Sequence, residues 1–307
     1  MDILEDIFNT LGLKGALYFR TDFSAPWGVA VPYHEGVARF HLVIQGHCFI
    51  KVNGGECVEL SAGDLIMIPR GVPHELLASP DAEAPALEQV LVDTGYEGKG
   101  VLAVGEGDSR ATTQLVCGHL SFRNQADHPV LRVLPDYLLV ANSCRAKHPL
   151  LDSVLRLITQ RIFDDQLGAA ASVTRLSEIV FIELLKAGIS ERPELIALLE
   201  GLQDPKIGKS LQLIHAQPDS LWTVESLATE VAMSRSRFAQ RFNELIGIGP
   251  MTYLADWRLQ KAVSLLEGSR MSVQQIAAKT GYQSASSFTR AFSGKFGIAP
   301  REYRQTA

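Results

Sequence analysis

Val224-Glu-Ser-Leu-Ala-Thr-Glu-Val-Ala-Met-Ser-Arg-Ser-Arg-Phe238 and Val273-Gln-Gln-Ile-Ala-Ala-Lys-Thr-Gly-Tyr-Gln-Ser-Ala-Ser-Ser-Phe288 are two copies of one pattern. The first continues to Phe242, Gly247, Pro250 and Tyr253, the second to Phe292, Gly297, Pro300 and Tyr303. Val224/Val273 and Ala228/Ala277 stand 49 residues apart, whereas the paired Phe, Gly and Pro positions stand 50 apart. The second copy therefore has one extra residue in its central turn. A repeat of this period decides the architecture before any finer reading. Val224, Leu227, Ala228 and Val231 form one helical stripe, and Phe238, Phe242 and Leu245 a second. Ser234 suits an N-cap, and Gly281 suits a turn that needs positive φ. Each copy thus predicts a helix-turn-helix, whose second helix can enter a major groove.

Charge supports that reading. From Lys206 onward there are 13 Lys/Arg against 7 Asp/Glu, a balance of +6, which leaves −11 for the rest of a chain whose net charge is −5. The basic residues lie where phosphate contacts are wanted. The acidic remainder argues against nucleic-acid binding or a membrane-surface role for the N-terminal part. At 307 residues the chain is long enough for two domains. Its apolar (46%) and charged (21%) fractions are those of a globular protein, with no apolar run of membrane-spanning length. Met1-Asp-Ile-Leu-Glu-Asp-Ile-Phe8 lacks the basic start of a signal peptide, so a cytoplasmic location is expected. Cys48, Cys57, Cys117 and Cys144 are too few for a disulfide framework, and reduced thiols are expected.

Residues 15 to about 140 read as β. Short apolar runs at Ala16–Phe19, Phe40–Ile44, Cys48–Val52, Leu65–Ile68, Leu87–Val92 and Thr113–Cys117 are punctuated by Gly, Pro and Asn-Gly. Asn53-Gly54 signals a hairpin. Many short strands predict a barrel or double-sheet jelly roll. Within it, Gly63-Asp-Leu-Ile-Met-Ile-Pro69-Arg-Gly71-Val-Pro-His74 resembles the second cupin motif. The first cupin motif is degraded: Arg39 stands where its Glu is expected, and His34 is the one histidine left of its pair, with Pro32 at the other position. By alternation Arg39 and His41 share a strand face, as do Cys117 and His119. If those faces point inward, His41, His74 and Cys117 converge with His34 or His119, a ligand set suited to Zn²⁺ or another divalent metal. The plainer reading makes these hydrogen-bonded interior histidines and a small buried thiol. Cys117 as a redox switch is a third reading and needs a low thiol pKa and solvent access. Trp27, in the loop Asp22–Gly28, either lines an effector pocket or packs the barrel mouth.

From about Pro149 the pattern turns helical. Leu151, Val154, Leu155 and Ile158 recur at i, i+3, i+4, i+7, and a second helix is expected from about Ser172 to Ala187, ended by Gly188 and Pro193. Core and interface stripes look alike, and a homodimer contact is expected within Pro149–Gly188. Pro193–Pro205 reads as a short helix and linker.

The C-terminal third resembles the AraC/XylS DNA-binding domain at Lys206–Pro218, Trp222–Ala228, Met233–Phe242, Trp257–Ala262, Gly281–Phe292 and Phe296–Arg304. The N-terminal part resembles, less specifically, the cupin-type sensor of one branch of that family at Phe40-His41, Pro69–His74 and Cys117-Gly118. The resemblance implies a transcription regulator, here expected to act as an activator, with a double-stranded DNA operator, RNA polymerase as partner, and a small-molecule or oxidant effector. It implies a long helix at about Met251–Leu266 joining the two helix-turn-helix units. Ser236 and Gln240 are implied to face bases, flanked by Arg235, Arg237 and Arg241; Ser286, Ser287 and Arg290, with Thr289 beside them, do so in the second unit. The low-specificity effector set is Cys117, Trp27 and His34, and the metal set His41, His74, Cys117 and His119.

The expected fold is α+β and multidomain. Residues 1–145 form a cupin-like β-barrel, 146–204 a helical linker and dimerisation segment, and 205–307 an all-α double helix-turn-helix domain. No catalytic residue is expected. The competing reading, a metal-dependent cupin enzyme of dioxygenase type with an appended DNA-binding domain, is weakened by Arg39. A third, a non-sensing architectural DNA binder, leaves the barrel without a purpose.

Overall fold

A computed structural model describes residues 2–98, 100–105, 112–124, 126–161, 167–187 and 193–306; side chains are described within these except at 16–19, 170 and 194. The chain divides into two compact units, one of Lys14–Ser121 with Leu134–Ser190, the other of Met1–Leu13, Phe122–Val133 and Glu191–Ala307.

The first unit is the β-rich one. Its strands are β1 (Lys14–Ser24), β2 (Gly28–Val31), β3 (Val37–Gln45), β4 (His47–Val52), β5 (Cys57–Ser61), β6 (Leu65–Ile68), β7 (His74–Leu77), β8 (Val101–Val104), β9 (Thr112–Ser121) and β10 (Leu138–Val140). They form a six-stranded sheet ordered β10-β6-β3-β9-β1-β8 and a four-stranded sheet ordered β2-β7-β4-β5. Val29, Val31, Ile50, Leu60, Ile66, Ile68, Leu76 and Leu115 fill one core. The predicted hairpin is present: Asn53 and Gly54 both take positive φ (52° and 70°) between β4 and β5. Gly71 of the cupin motif has φ 61°, and a Cβ there would meet the carbonyl oxygens of His34 and Val37 at 2.4 Å. Only glycine fits that turn.

Leu87–Val92 is not a strand. It lies in helix α2 (Leu87–Thr94), stopped by Gly95 in the left-handed region. Leu87, Val90 and Leu91 are spaced i, i+3, i+4, a helical period, and a run of short apolar segments on either side masks it. Helices α4 (Pro149–Arg161) and α5 (Ala169–Ala187) complete the unit. Leu151, Val154, Leu155 and Ile158 are buried as their spacing predicted, α4 packs on α5, and α5 packs on β1 and β9. Gly188 lies outside the described residues.

The second unit is helical: α1 (Ile3–Leu11), α3 (Pro129–Arg132), α6 (Pro193–Gln203), α7 (Ile207–Ala216), α8 (Val224–Glu230), α9 (Arg235–Ile246), α10 (Pro250–Gly268), α11 (Val273–Lys279), α12 (Ala285–Phe296) and α13 (Pro300–Thr306). The compact units do not coincide with the linear division at 145 and 204. Residues 1–13 and 122–133 belong with the helix-turn-helix body. Helix α6, read as part of a linker, packs on α7 and α9, with Leu195, Leu198 and Leu199 buried. Leu195, Leu198 and Leu199 stand at i, i+3, i+4, so the helix is legible in the sequence, but a stripe does not say which partner it packs on. Among the described residues no helix is long and apolar enough to cross a membrane.

Candidate functional site

The two helix-turn-helix units are built by matching local chemistry. Thr223 and Ser272 close capping boxes at the starts of α8 and α11, with Ser226 and Gln275 returning the bond. Ser234 and Ser284 cap the second helices α9 and α12 by accepting from Arg237 N and Ser287 N. Gly247 and Gly297 end them at φ 79° and 72°, and Pro250 and Pro300 start the helices that follow. Phe238, Phe242, Phe288 and Phe292 are fully buried, so they are core and no stacking platforms. Helix α10 spans the two units, and Leu259, Ala262, Val263 and Leu266 pack with Ile276, Phe288, Phe292 and Tyr303.

On α9, Arg235, Ser236 and Arg237 are exposed in its first turn. Gln240 and Arg241 are also exposed but engaged: Gln240 Nε2 donates to Glu244 Oε1 (2.8 Å), and Arg241 donates through Nε and Nη2 to Asp204 (3.0 and 2.6 Å). Asp204 also accepts from the backbone N–H of Lys206 and Ile207 at the start of α7. On α12, Ser286, Ser287 and Arg290 are exposed and Thr289 is half-buried. The Ser287 hydroxyl donates to Ser284 O (2.9 Å), which occupies it at the cap. Ser286, Thr289 and Arg290 line a groove that also holds Gln274 and Arg301. The sequence reading missed those two, which belong to the neighbouring helices α11 and α13. Arg301 follows Pro300 in the last helix, and its counterpart 50 residues earlier is the partly exposed Met251.

In the barrel, β3 and β9 pair in a register that sets His41 against Cys117 and Arg39 against His119. Alternation therefore puts all four on one face. His41 Nδ1 lies 3.0 Å from Cys117 Sγ, and His41 Nε2 lies 2.9 Å from His74 Nε2. His74 Nδ1 lies 3.1 Å from the carbonyl of Val72. A carbonyl only accepts, so His74 Nδ1 carries the proton and Nε2 of the neutral ring accepts. His41 Nε2–H then donates to it, leaving His41 Nδ1 to accept from the Cys117 thiol. The chain runs one way: thiol, His41, His74, backbone. Burial drives this neutral state. It lowers His41 well below the usual histidine range, with His74 and Arg39 adding to the effect, and brings His74 down to about 4. Burial pushes the Cys117 thiol far up.

That order bears on the metal set. Both ring nitrogens of His41 and His74 are turned toward partners within the chain, and the sulfur faces His41 Nδ1. The donors lie in a row and do not converge on one point. Among the described residues no group of three or more His, Cys, Asp or Glu is placed to hold a metal ion. His119, half-buried opposite Arg39, is brought down to about 4 by burial first and Arg39 second. His34 is exposed, with Nδ1 at Glu35 O (3.1 Å), and does not join the row. Trp27 is buried against Phe23, ring centroids 4.6 Å apart, within the barrel core. A small cavity lies beside the row, lined by Thr21, Phe23, Val29, Val31, Arg39, His41, Leu76, Leu87, Leu102, Cys117 and Gly118. Its free volume is about 30 Å³, room for a water or two. Trp27 and His34 are not among its walls.

Residues 2–190 match the cupin family model, and residues 227–306 match that of the helix-turn-helix domain. The HTH-type transcriptional regulator AlkR of Acinetobacter baylyi is 30% identical over 313 residues, covering 99% of each chain. A putative AraC-like transcription regulator of Streptomyces antibioticus is 29% identical over 310 residues, 99% of this chain and 99% of the relative. The chain belongs to the AraC-type transcriptional regulators with an N-terminal cupin domain. It is a DNA-binding regulator of transcription. Among solved structures, the DNA-binding domain of AdpA in complex with a target DNA aligns with a TM-score of 0.32 at 31% identity, over 34% of this regulator and 92% of that chain.

Proposed function

We propose that the regulator reads a bipartite DNA site with the exposed faces of α9 and α12, and that a small effector taken into the barrel shifts that binding. The observation that carries the proposal is the doubled, identically capped unit with a polar outer face on each second helix. Equivalent positions differ in chemistry: Gln240 corresponds to Arg290, and Ala239 to Thr289. Glutamine suits adenine and arginine suits guanine in a major groove, so the two halves of the site should differ in sequence. Arg235, Ser236, Arg237, Ser286 and Thr289 join Gln240 and Arg290 as contacts. Ser287 serves the cap first. Arg241, held by Asp204, acts on phosphate or on the setting of α9.

The barrel cavity supports a small-molecule effector better than an oxidant. A thiol kept protonated by burial and donating to His41 is a poor nucleophile. Because the cavity has room for little more than water, any larger effector must spread β2, β8 and α2 around it. That requirement ties binding to a change of shape, which is what a population shift needs. The exposed Leu150 and Leu157 on α4, seven residues apart on one side of the helix, favour a homodimer. The relatives are named as transcription regulators, and to that we add a cytoplasmic role at a promoter with RNA polymerase and no enzymatic step. The dioxygenase reading loses its footing with the row-like arrangement of His41, His74 and Cys117.

The test selects bound fragments from genomic DNA and then measures variants on the recovered duplex. Arg290→Ala should cost about 1–3 kcal/mol of affinity and relax one position of the site. A loss that is uniform across sequences would reassign Arg290 to phosphate. Retention of full affinity would remove it from the interface.

A further inference from the structure

A second polar row runs through the helical unit and is used by none of the functions above. The backbone N–H of Val130 donates to His128 Nδ1 (3.1 Å). His128, fully buried, is held neutral by its burial, so its proton sits on Nε2 and is donated to the Tyr253 hydroxyl at 3.0 Å. Tyr253 then donates its own proton to His215 Nε2 at 2.7 Å. The remaining proton of His215 sits on Nδ1, which lies 3.1 Å from Asp6 Oδ2 at an angle too poor for an aligned hydrogen bond. The Asp6 carboxylate faces that N–H, and its Oδ1 takes Lys261 Nζ at 2.8 Å. Every proton has one place to be.

The row joins three stretches remote in sequence: α1 through Asp6, residues 122–133 through His128, and the helix-turn-helix body through His215 on α7 and Tyr253 on α10. Tyr253, Trp257 and Lys261 recur every fourth residue and so share one face of α10. His215 stacks on Trp257 with centroids 3.7 Å apart and planes 5° from parallel, and Lys261 Nζ lies 4.9 Å from the same ring. The 122–133 stretch reaches further along the second unit. Asp127 pairs with Lys295 of α12 (2.7 Å), Arg132 with Asp256 of α10 (3.0 Å), and Tyr303 of α13 bonds the carbonyl of Asn124 (3.0 Å). Helix α10 is the element that both helix-turn-helix units share, so whatever seats it sets their mutual angle.

We propose that the row Asp6–His215–Tyr253–His128 is a positioning device for DNA recognition, seating α10 and so making the spacing of α9 and α12 depend on α1 and on residues 122–133. Three of its members are buried and Asp6 is half-buried. They act through α10, and the device requires no effector.

The experiment uses the full chain and a duplex that the wild type has recovered from genomic DNA. Asp6→Asn keeps the shape of the carboxylate and removes its charge; His128→Gln keeps one donor; Tyr253→Phe removes a single hydroxyl. Asp6→Asn and His128→Gln should each weaken duplex binding by about threefold to tenfold. Their double variant should lose less than the product of the two, and in a Tyr253→Phe background the same pair should combine multiplicatively, because the link is already cut. Hydrogen exchange should quicken in α1 and 122–133 of Tyr253→Phe while the barrel strands stay unchanged. Merely additive destabilisation predicts multiplicative losses in both backgrounds, and that result overturns the proposal, as does unchanged binding with α1 released. Should His128→Gln fail to fold, Asp6→Asn is cycled against Tyr253→Phe with the same criterion.

Discussion

Ala232 and Gly281 occupy the same step of the two turns, 49 residues apart, and both take left-handed φ, 51° and 81°. The glycine was legible as a turn residue. The alanine was not, because nothing in its side chain announces the strain it carries. The two positions should respond oppositely. A Cβ at Gly281 would lie 2.7 Å from Arg258 Nη2 and 2.8 Å from Pro218 O. Arg258 is itself bonded to Pro218 O and Ser220 O and has little freedom to withdraw. Gly281→Ala should cost about 2–3 kcal/mol, read from the denaturant midpoint. Ala232→Gly should be neutral or stabilise by up to about 1 kcal/mol. At Cys117 the spacing correctly brought the thiol to His41 and His74, but direction of bonding and burial decided its chemistry. Cys117 should alkylate far more slowly than the partly exposed Cys57 and Cys144 in the folded chain, with the difference vanishing in denaturant. Comparable rates in the folded state would reinstate the redox reading.

At the scale of elements, local signals were reliable where the bonds are local. Ser234 was read as an N-cap and is one, and its counterpart Ser284 accepts from Ser287 N at 3.1 Å. Ser284→Ala should lower stability by about 1 kcal/mol, through loss of the Ser287 N–H bond to its hydroxyl, while the Ser287 hydroxyl keeps its bond to the Ser284 carbonyl. Ser284→Asp, an equally good cap, should restore stability but weaken DNA binding by placing a carboxylate beside the phosphates. Recovery of both together would mean that the start of α12 stands away from DNA. Short apolar runs were less reliable. Leu87–Val92 has the length of a strand and the spacing of a helix, and the stop at Gly95 decides for the helix. The stripe on α4 proved to be core against α5. Leu150 and Leu157, on the same helix but off that stripe, are left exposed.

At the scale of the molecule, strands β1 and β9 carry Thr21, Phe23, Cys117 and Gly118 of the barrel cavity, and in sequence they adjoin α1 and residues 122–124. The row that seats α10 carries two buried histidines, His128 and His215. The same row makes stability depend on pH. His128 and His215 are lowered from the ordinary histidine value, by burial above all. The groups around His128 are Tyr253, His215 and Trp257, with Arg132 opposing and Asp127 favouring its charge. In the unfolded chain a histidine gains its proton near pH 6.5. As pH falls through that value the unfolded state takes up protons that the native state refuses, so stability is full above about pH 7.5 and declines below about 6.5. His128→Gln should make that decline shallower, as followed by the denaturation midpoint between pH 7.5 and 5.5. Parallel slopes for variant and wild type would show that His128 does not titrate on unfolding.

The amino-acid sequence by itself determined the doubled helix-turn-helix, its caps, its phenylalanine core and the cupin turn, because each rests on bonds or periodicities that span a few residues. The charge split marked which end meets DNA for the same reason, since charge is additive along a chain. Tertiary structure decided the rest. It set three of the four candidate metal ligands, Cys117, His41 and His74, in a one-way row and left His119 outside it, gave Arg241 to Asp204, and placed α1, residues 122–133 and α6 in the DNA-binding unit. Those outcomes depend on which side chains meet across tens to hundreds of residues and on how completely water is excluded where they meet, and neither quantity is written in local order.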